Sequence, residues 1–341
     1  MTFDPLPIEA VYGLFALAAA VICGAGTMMA GLADRLADRT GLGEAVAGAM
    51  LLGVSTSLSG TVTSVTAALD GAASLAVANA VGGIGVQTVF LVLADLTYRR
   101  INLEHAAADA NHLLQAALLL LLLSLPLVAY LTPAITVWAV HPVSLALPVI
   151  YVFGMRASVD ARHRPMWRPE RTADTHPDEP AEAETGWSGS MPLLLKFCAL
   201  AAVLSAAGWL IAVTGQRIAA SSGLSQSLVG AALTATATSL PELVTTLAAV
   251  RRGALQLAVG GIIGGNTFDV LFLSLSDAAY REGSIYHAMA GADALLFVSV
   301  MTITAILLMG LVLRERKGIG FEGVTIIAVY LGSMALQAVV G

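Results

Sequence analysis

Charge is the scarcest property of this sequence. Only 12% of its 341 residues are Asp, Glu, Lys or Arg, where soluble domains carry about 25%. Hydrophobic residues make up 57%, more apolar surface than a water-soluble fold of this size can hide. Basic clusters are also missing. The 17 Lys and Arg are scattered among polar joints and outnumbered by 23 Asp and Glu, so nothing forms the basic face that a phosphate backbone requires, and nucleic acid is excluded as a partner. Cysteine is almost absent. Cys23 and Cys198 both fall in apolar stretches, which excludes a disulfide framework and leaves the redox compartment open. Finally, no basic segment precedes the first apolar run. That run reads as a retained helix rather than a cleaved signal peptide.

What is present in excess is long apolar runs, each enough to cross about 30 Å of hydrocarbon as a helix. They predict spans at 8–31, 44–69, 72–97, 109–131, 134–154, 191–214, 225–250, 254–279, 288–313 and 320–340. The expected fold is therefore all-α and integral to the membrane, with about ten transmembrane helices. Between the fifth and sixth runs, residues 156–190 are rich in Pro, Asp, Glu, Arg and Thr and poor in aliphatics. They read as a flexible linker between halves at 1–155 and 191–341. If alternate joints are assigned to alternate faces, Arg35, Arg39, Arg99, Arg100, Arg156, Arg162, Arg164, Arg168, Arg171, Arg251, Arg252, Arg314, Arg316 and Lys317 fall on one face. Only Arg217 and Arg281 fall on the other, and Lys196 leans to the basic side. The positive-inside rule makes the basic face, with the linker, cytoplasmic and places both termini outside a cell (inner) membrane.

The chain also repeats itself. At an offset of 182 residues, 41–99 aligns without a gap to 223–281 with 24 identities in 59 positions. The matches pair Gly48 with Gly230, Thr56-Ser57-Leu58 with Thr238-Ser239-Leu240, Gly82-Gly83 with Gly264-Gly265, and Asp95 with Asp277. Five spans, an odd number, separate the copies, so they are inverted in the bilayer. Inverted repeats suit a transporter whose ion site lies near the midplane between the copies.

Polar residues inside the spans mark where that site should be. In the seventh span, Thr234 to Glu242 reads T-A-T-A-T-S-L-P-E. Pro241 removes a helical hydrogen bond and frees carbonyls near Thr236, Ala237 and Thr238, and these join hydroxyls and a carboxylate as the oxygen donors hard cations prefer. In the eighth span, Gly264 to Asp269 reads G-G-N-T-F-D, with small residues that allow close helix approach and a second carboxylate. Glu242 and Asp269 are the natural pair. Carboxylates at helix centres are expensive and usually functional, although pairing with a base or a water-filled rim is the plainer reading.

These two stretches, T-S-L-P-E-L and G-G-N-T-F-D, resemble the second alpha repeat of the sodium/calcium exchanger superfamily, and the inverted ten-helix plan agrees. The resemblance implies a cation antiporter whose ions are held by Thr238, Ser239, Glu242 and Asp269, with the Ala235 carbonyl as a further ligand. The first repeat departs from the pattern. Ser59-Gly60 stands where the second copy has Pro241-Glu242, so the family's first carboxylate is missing. Thr56, Ser57 and Gln87 remain as neutral donors, and small Ser59 and Gly60, followed by Thr61, Thr63 and Ser64, leave room for water or a hydrated ion. Two carboxylates neutralise one divalent or two monovalent cations, and the resemblance implies Ca²⁺ or a similar cation as the cargo with Na⁺ or H⁺ as the counter-ion. Other polar residues carry less. Asp95 and Asp277 either line vestibules or cap helix ends beside Arg99 and Arg281, and His112, His141 and Asp293 suit local hydrogen bonds.

No enzyme chemistry and no cofactor are implied. The partners are small cations and lipid, and oligomeric state is open. The rival readings are a non-transporting ion-binding or regulatory homologue, suggested by Gly60, an intramembrane hydrolase using the two acids as a dyad, and a passive channel.

Overall fold

The computed structural model describes residues 6–40, 53, 55–98, 102–163, 166, 190–313 and 319–340. Several expectations lie outside these residues: the start of the second span with Gly41 and Gly48, Arg99 and Arg100, Arg314, Arg316 and Lys317, and most of the linker. The described residues form helices and turns, and their one bridge pairs Val137 with Val140.

The spans are α1 (Ile8–Thr40), α2 (Leu58–Leu69), α3 (Ala73–Tyr98), α4 (Ala110–Leu131), α5 (Pro142–His163) and α6 (Ser190–Ser222). There follow α7 in two pieces (Gln226–Thr238 and Leu240–Arg252), α8 (Leu255–Ala279), α9 (Gly291–Val312) and α10 (Phe321–Val340). Among the described residues eight of these are long and apolar enough to cross a bilayer, α7 is a ninth bent by 48°, and α2 is a shorter apolar helix. α1 and α6 have 33 residues each, roughly 50 Å at the helical rise, so they must tilt or project beyond the hydrocarbon.

The fifth span differs from expectation. The apolar run from 134 does not enter the helix, because Pro133 and Pro142 bound a short excursion in which Val137 and Val140 exchange backbone hydrogen bonds. Trp138 and Ala139 make its turn with φ of 54° and 68°, and Trp138 is 88% exposed. The helix starts at Pro142, where a residue without an N–H is tolerated. It then runs to His163, eight residues into what composition marks as linker.

The centre of the molecule is α3. Of its most apolar stretch 94% is buried, against 17% for α1. It packs against α2, α7, α8, α9 and α10, while α1 and α6 pair with each other along the outside. Helix contact in lipid is set by how closely backbones approach, so small residues mark the crossings. A Cβ on Gly82 of α3 would lie 2.6 Å from the Ala231 Cα, and one on Gly230 of α7 would lie 2.7 Å from the Ala78 Cβ. The α3–α7 crossing is thus fixed by glycine on both helices.

The repeat symmetry extends beyond the aligned segment. Asp95 Oδ1 accepts the Leu103 N–H at 2.7 Å, and Asp277 Oδ1 accepts the Ile285 N–H at 2.8 Å. Donor follows acceptor by eight residues in both copies, and each pair is related by the 182-residue offset. Both aspartates are buried, at 6% and 0% exposure. They pin the short helical turns 103–106 and 285–288 against their spans and do not line vestibules. The surroundings differ. Asp277 Oδ2 accepts the Ser144 hydroxyl at 2.6 Å and the His141 N–H at 2.7 Å, and Ser144 shares a hydrogen bond with Tyr286. At the other end Glu104 replaces its mate Tyr286, and Glu322, which accepts the Asn102 amide at 2.6 Å, stands near Asp95. Burial first, then the charges of Asp95 and Glu322, push the Glu104 carboxyl up to about 8.

Two predictions follow from packing and charge. Gly82→Leu should destabilise the protein by on the order of 2 kcal/mol through overpacking, seen as a lower melting temperature in detergent, whereas Gly13→Ala, where no atom lies within 4 Å of the new Cβ, should be neutral. For Glu104, a folded value of about 8 against an ordinary 4.5 means that the fold binds the proton more tightly than the unfolded chain. Its contribution is complete below 4.5 and is lost as pH rises through 8. Melting temperature should therefore fall between pH 5 and 9, and Glu104→Gln should reduce that fall by on the order of 5 °C.

Candidate functional site

The site is built on two helix breaks related by the repeat. α7 carries a π-helical stretch, Val229–Thr234, and then breaks at Ser239 before Leu240 restarts the helix. Pro241, in the first turn of the new piece, cannot donate to an upstream carbonyl and favours the restart there. α2 breaks at the matching residue. Ser57 has φ −83° and ψ 0°, Ser239 φ −95° and ψ 4°. The first copy has Ser59 in place of proline, so the break belongs to the shared T-S-L run and its tertiary setting, and proline reinforces it in one copy only.

Across the two breaks four side chains form a reciprocal set. Ser57 donates to Asp269 Oδ1 at 2.5 Å, and Gln87 Nε2 donates to Asp269 Oδ2 at 2.7 Å and to the Ser239 hydroxyl at 3.3 Å. Ser57 is the repeat mate of Ser239 and Gln87 that of Asp269, so the pseudo-twofold axis passes between them. Glycines from both copies let these groups in: a Cβ on Gly83 would lie 3.6 Å from the Ser239 hydroxyl, and one on Gly265 3.7 Å from Gln87 Oε1. Glu242, 7% exposed, faces Asp269 closely enough for the two charges to interact and has the Thr56 hydroxyl as a hydrogen-bond partner.

Thr56, Ser57, Gln87, Ser239, Glu242 and Asp269 therefore come together. Thr238 is adjacent and buried, but its hydroxyl donates to the Thr234 and Ala235 carbonyls at 3.0 and 3.2 Å. The Ala235 carbonyl also accepts the Ser239 N–H at 3.1 Å, and the Thr238 carbonyl takes the Ser59 hydroxyl at 3.4 Å. The carbonyls freed around the break are thus largely re-used within the protein. Three acceptor oxygens are not: Glu242 Oε2, Gln87 Oε1 and Asn266 Oδ1 are buried without a hydrogen-bond partner. Among the described residues no group of three or more His, Cys, Asp or Glu is placed to hold a metal. Two carboxyls with neutral oxygens, the donor set of a hard cation, make up the constellation.

Among the described residues, the space expected beside Gly60 is taken up by an aromatic ring. The Phe272 ring lies against Gly60, within 2.9 Å of where a Cβ would stand. Thr61 donates to the Ser57 carbonyl, Thr63 to the carbonyls of Ser59 and Gly208, and Ser64 accepts the Asn79 amide. Thr63 and Ser64 thereby tie α2 to α6 and α3, and Thr61 satisfies its donor on its own segment, because in hydrocarbon an unused donor is costly. Asn79 and Asn266 are the polar residues that motif reading left out of the site. Asn79 ties Gly60 and Ser64 to Thr234, and Asn266 donates to Thr88 at 3.0 Å. An amide in an otherwise apolar run was the available signal. His112 and Asp293 make the expected local bonds, to the Ala107 carbonyl and from the Ala290 N–H.

Known proteins share this fold. The solved sodium-calcium exchanger NCX_Mj has a TM-score of 0.62 over 96% of this chain and 99% of its own, at 19% identity. The H⁺/Ca²⁺ exchanger CAX has a TM-score of 0.68 over 96% and 86%, at 12% identity. At such identities the likeness is one of fold. Among curated sequences, the putative antiporter CaxA of Alkalimonas amylolytica is 33% identical over 147 residues, 43% of this chain and 44% of CaxA. The inner membrane protein YrbG of Escherichia coli (strain K12) is 28% identical over 139 residues, 40% of this chain and 43% of YrbG. Each match thus spans less than half of the relative. The family model described as sodium/calcium exchanger protein matches residues 10–156 and 191–339, both halves, and the chain belongs to that family.

Proposed function

We infer that this protein is a secondary active cation antiporter that binds its ion at Glu242 and Asp269 and works by alternating access. The observation that carries the reading is the set of buried, unpartnered oxygens of Glu242, Gln87 and Asn266 beside the Asp269 hydrogen-bond set. Buried acceptors are ordinarily satisfied, and a cation crossing this point satisfies them. Thr56, Ser57, Thr238 and Ser239 add neutral oxygens, with the Ala235 carbonyl behind them. The cargo is Ca²⁺ or a similar cation, driven by Na⁺ or H⁺; relatives in fold are named as sodium-calcium and H⁺/Ca²⁺ exchangers. The site needs no cofactor. The two halves, 1–155 and 191–341, act as the inverted units, with 156–190 between them on the cytoplasmic face of a cell membrane and both termini outside.

Both oxygens of Asp269 are engaged by Ser57 and Gln87, which argues against two acids sharing a hydrolytic water. Gly60 favours a second reading, an ion-binding homologue without flux. Proteoliposomes loaded with buffer and given an inward or outward Na⁺ or pH gradient separate the two. Antiport predicts ⁴⁵Ca²⁺ movement that follows one gradient and falls about tenfold or more in Glu242→Gln, equivalent to losing at least about 1.4 kcal/mol of ion stabilisation. Binding without gradient-driven movement supports the second reading, movement without a counter-ion supports a channel, and neither binding nor movement removes calcium.

A further inference from the structure

The two lobes of the site, related by the repeat, are not chemically equivalent. Of the three partnerless oxygens, the second repeat supplies those of Glu242 and Asn266, and the first repeat supplies the amide oxygen of Gln87 but no carboxylate. On the first-repeat side the position corresponding to Glu242 is Gly60, and Phe272 fills it. A Cβ on Gly60 would lie 2.9 Å from Phe272 Cε2, 3.5 Å from its Cζ and 3.7 Å from the Thr238 hydroxyl. The ring is 3% exposed. It packs edge-on against Phe268, with centroids 6.3 Å apart at 83°, and Phe268 is braced in the same manner by Tyr151 at 6.1 Å and 72°. A ring held through two further aromatics cannot swing aside cheaply in a close-packed interior. The hydroxyls of Thr238 and of the helix that carries Gly60 donate within the protein, Ser59 to the Thr238 carbonyl, Thr238 to two upstream carbonyls, Thr61 to Ser57 and Thr63 to Ser59 and Gly208.

We propose that Phe272, seated on Gly60, is a specificity-determining residue that closes the first-repeat lobe and limits the protein to one bound cation at a time. This rests on the antiporter reading above and adds to it a ceiling on ion number. A second metal ion needs its own shell of oxygens at about 2.3–2.6 Å for calcium, and the ring supplies none. Phe272 lies one helical turn beyond Asp269 on α8, so its position is set by the same helix that carries the ion ligand. Phe90, its repeat mate, is also phenylalanine. The asymmetry therefore arises from Gly60 opposite Glu242, not from the ring itself.

The test uses the purified full-length protein in nanodiscs, with ⁴⁵Ca²⁺ as the bound probe and Na⁺ as competitor. In the wild type, Ca²⁺ should saturate at about one per chain and Na⁺ should displace it with a Hill coefficient of about one, since that coefficient cannot exceed the number of sites. The double variant Gly60→Glu with Phe272→Ala opens the lobe and restores a carboxylate, and its Na⁺ coefficient should rise toward about two. Gly60→Glu alone, with the ring in place, should show no such rise. A wild-type coefficient near two, or a folded double variant that still behaves as a single site, overturns the proposal. Should the double variant not fold, the wild-type stoichiometry decides alone. Failure of the antiporter reading looks different: no Ca²⁺ binding in the wild type, or binding that Glu242→Gln leaves unchanged.

Discussion

The arrangement turns on one carboxylate. Asp269 sits at 2% exposure in the middle of the bundle, and in hydrocarbon such a group persists only if its oxygens find donors. Its donors, Ser57 and Gln87, both come from the other repeat. The bond set is therefore also the joint between the two halves. α2 must break at Ser57 to present its hydroxyl, α3 must run through the centre to present Gln87, and the glycines of α3, α7 and α8 must let the backbones close to within reach. The position of Glu242 follows, because the break at Ser239 that completes the reciprocal set directs the next turn of α7 toward the same point.

Much of this was legible in the sequence because a bilayer simplifies the problem. Apolar run length located nearly every span, and the 182-residue offset gave the symmetry and hence the pairing of T-S-L with T-S-L. Gln87 opposite Asp269 could be anticipated as an amide facing a carboxylate, since the two are mates. The α5 boundary could not. The run from 134 is as apolar as a helix, and only the prolines at 133 and 142 hinted that it turns back on itself instead. The roles of Asp95 and Asp277 were equally ambiguous, because a carboxylate at a helix end looks the same whether it caps a neighbouring turn or faces water.

The larger failure of sequence reading concerns empty space. Replacing proline and glutamate by Ser59 and Gly60 suggested a cavity, since the side chains became smaller. Volume in a protein interior is a collective property, however, and the gap left by one residue is filled by another far away in sequence. Phe272 is 212 residues from Gly60, and nothing in either local pattern announces the contact. The same holds for the hydroxyls of Thr61 and Thr63. As residues they suit a hydrated path, and only the carbonyls of Ser57, Ser59 and Gly208 show that their donors are already used, Thr63 partly between helices.

One further contrast concerns the outer helices. Gly26 of α1 and Gly208 of α6 are repeat mates and each crosses the broken helix of the opposite half, Gly26 over Pro241 and Gly208 over the Ser59 carbonyl. Thr63 adds a hydrogen bond to Gly208, while among the described residues its mate Thr245 bonds to the carbonyls of Pro241 and Glu242 in its own helix. In a perfect duplication, exchanging the conformations of the halves would cost nothing, and the two orientations would be equally populated. Here the exchange trades a polar tether for a van der Waals contact, so the two arrangements of the halves differ in free energy.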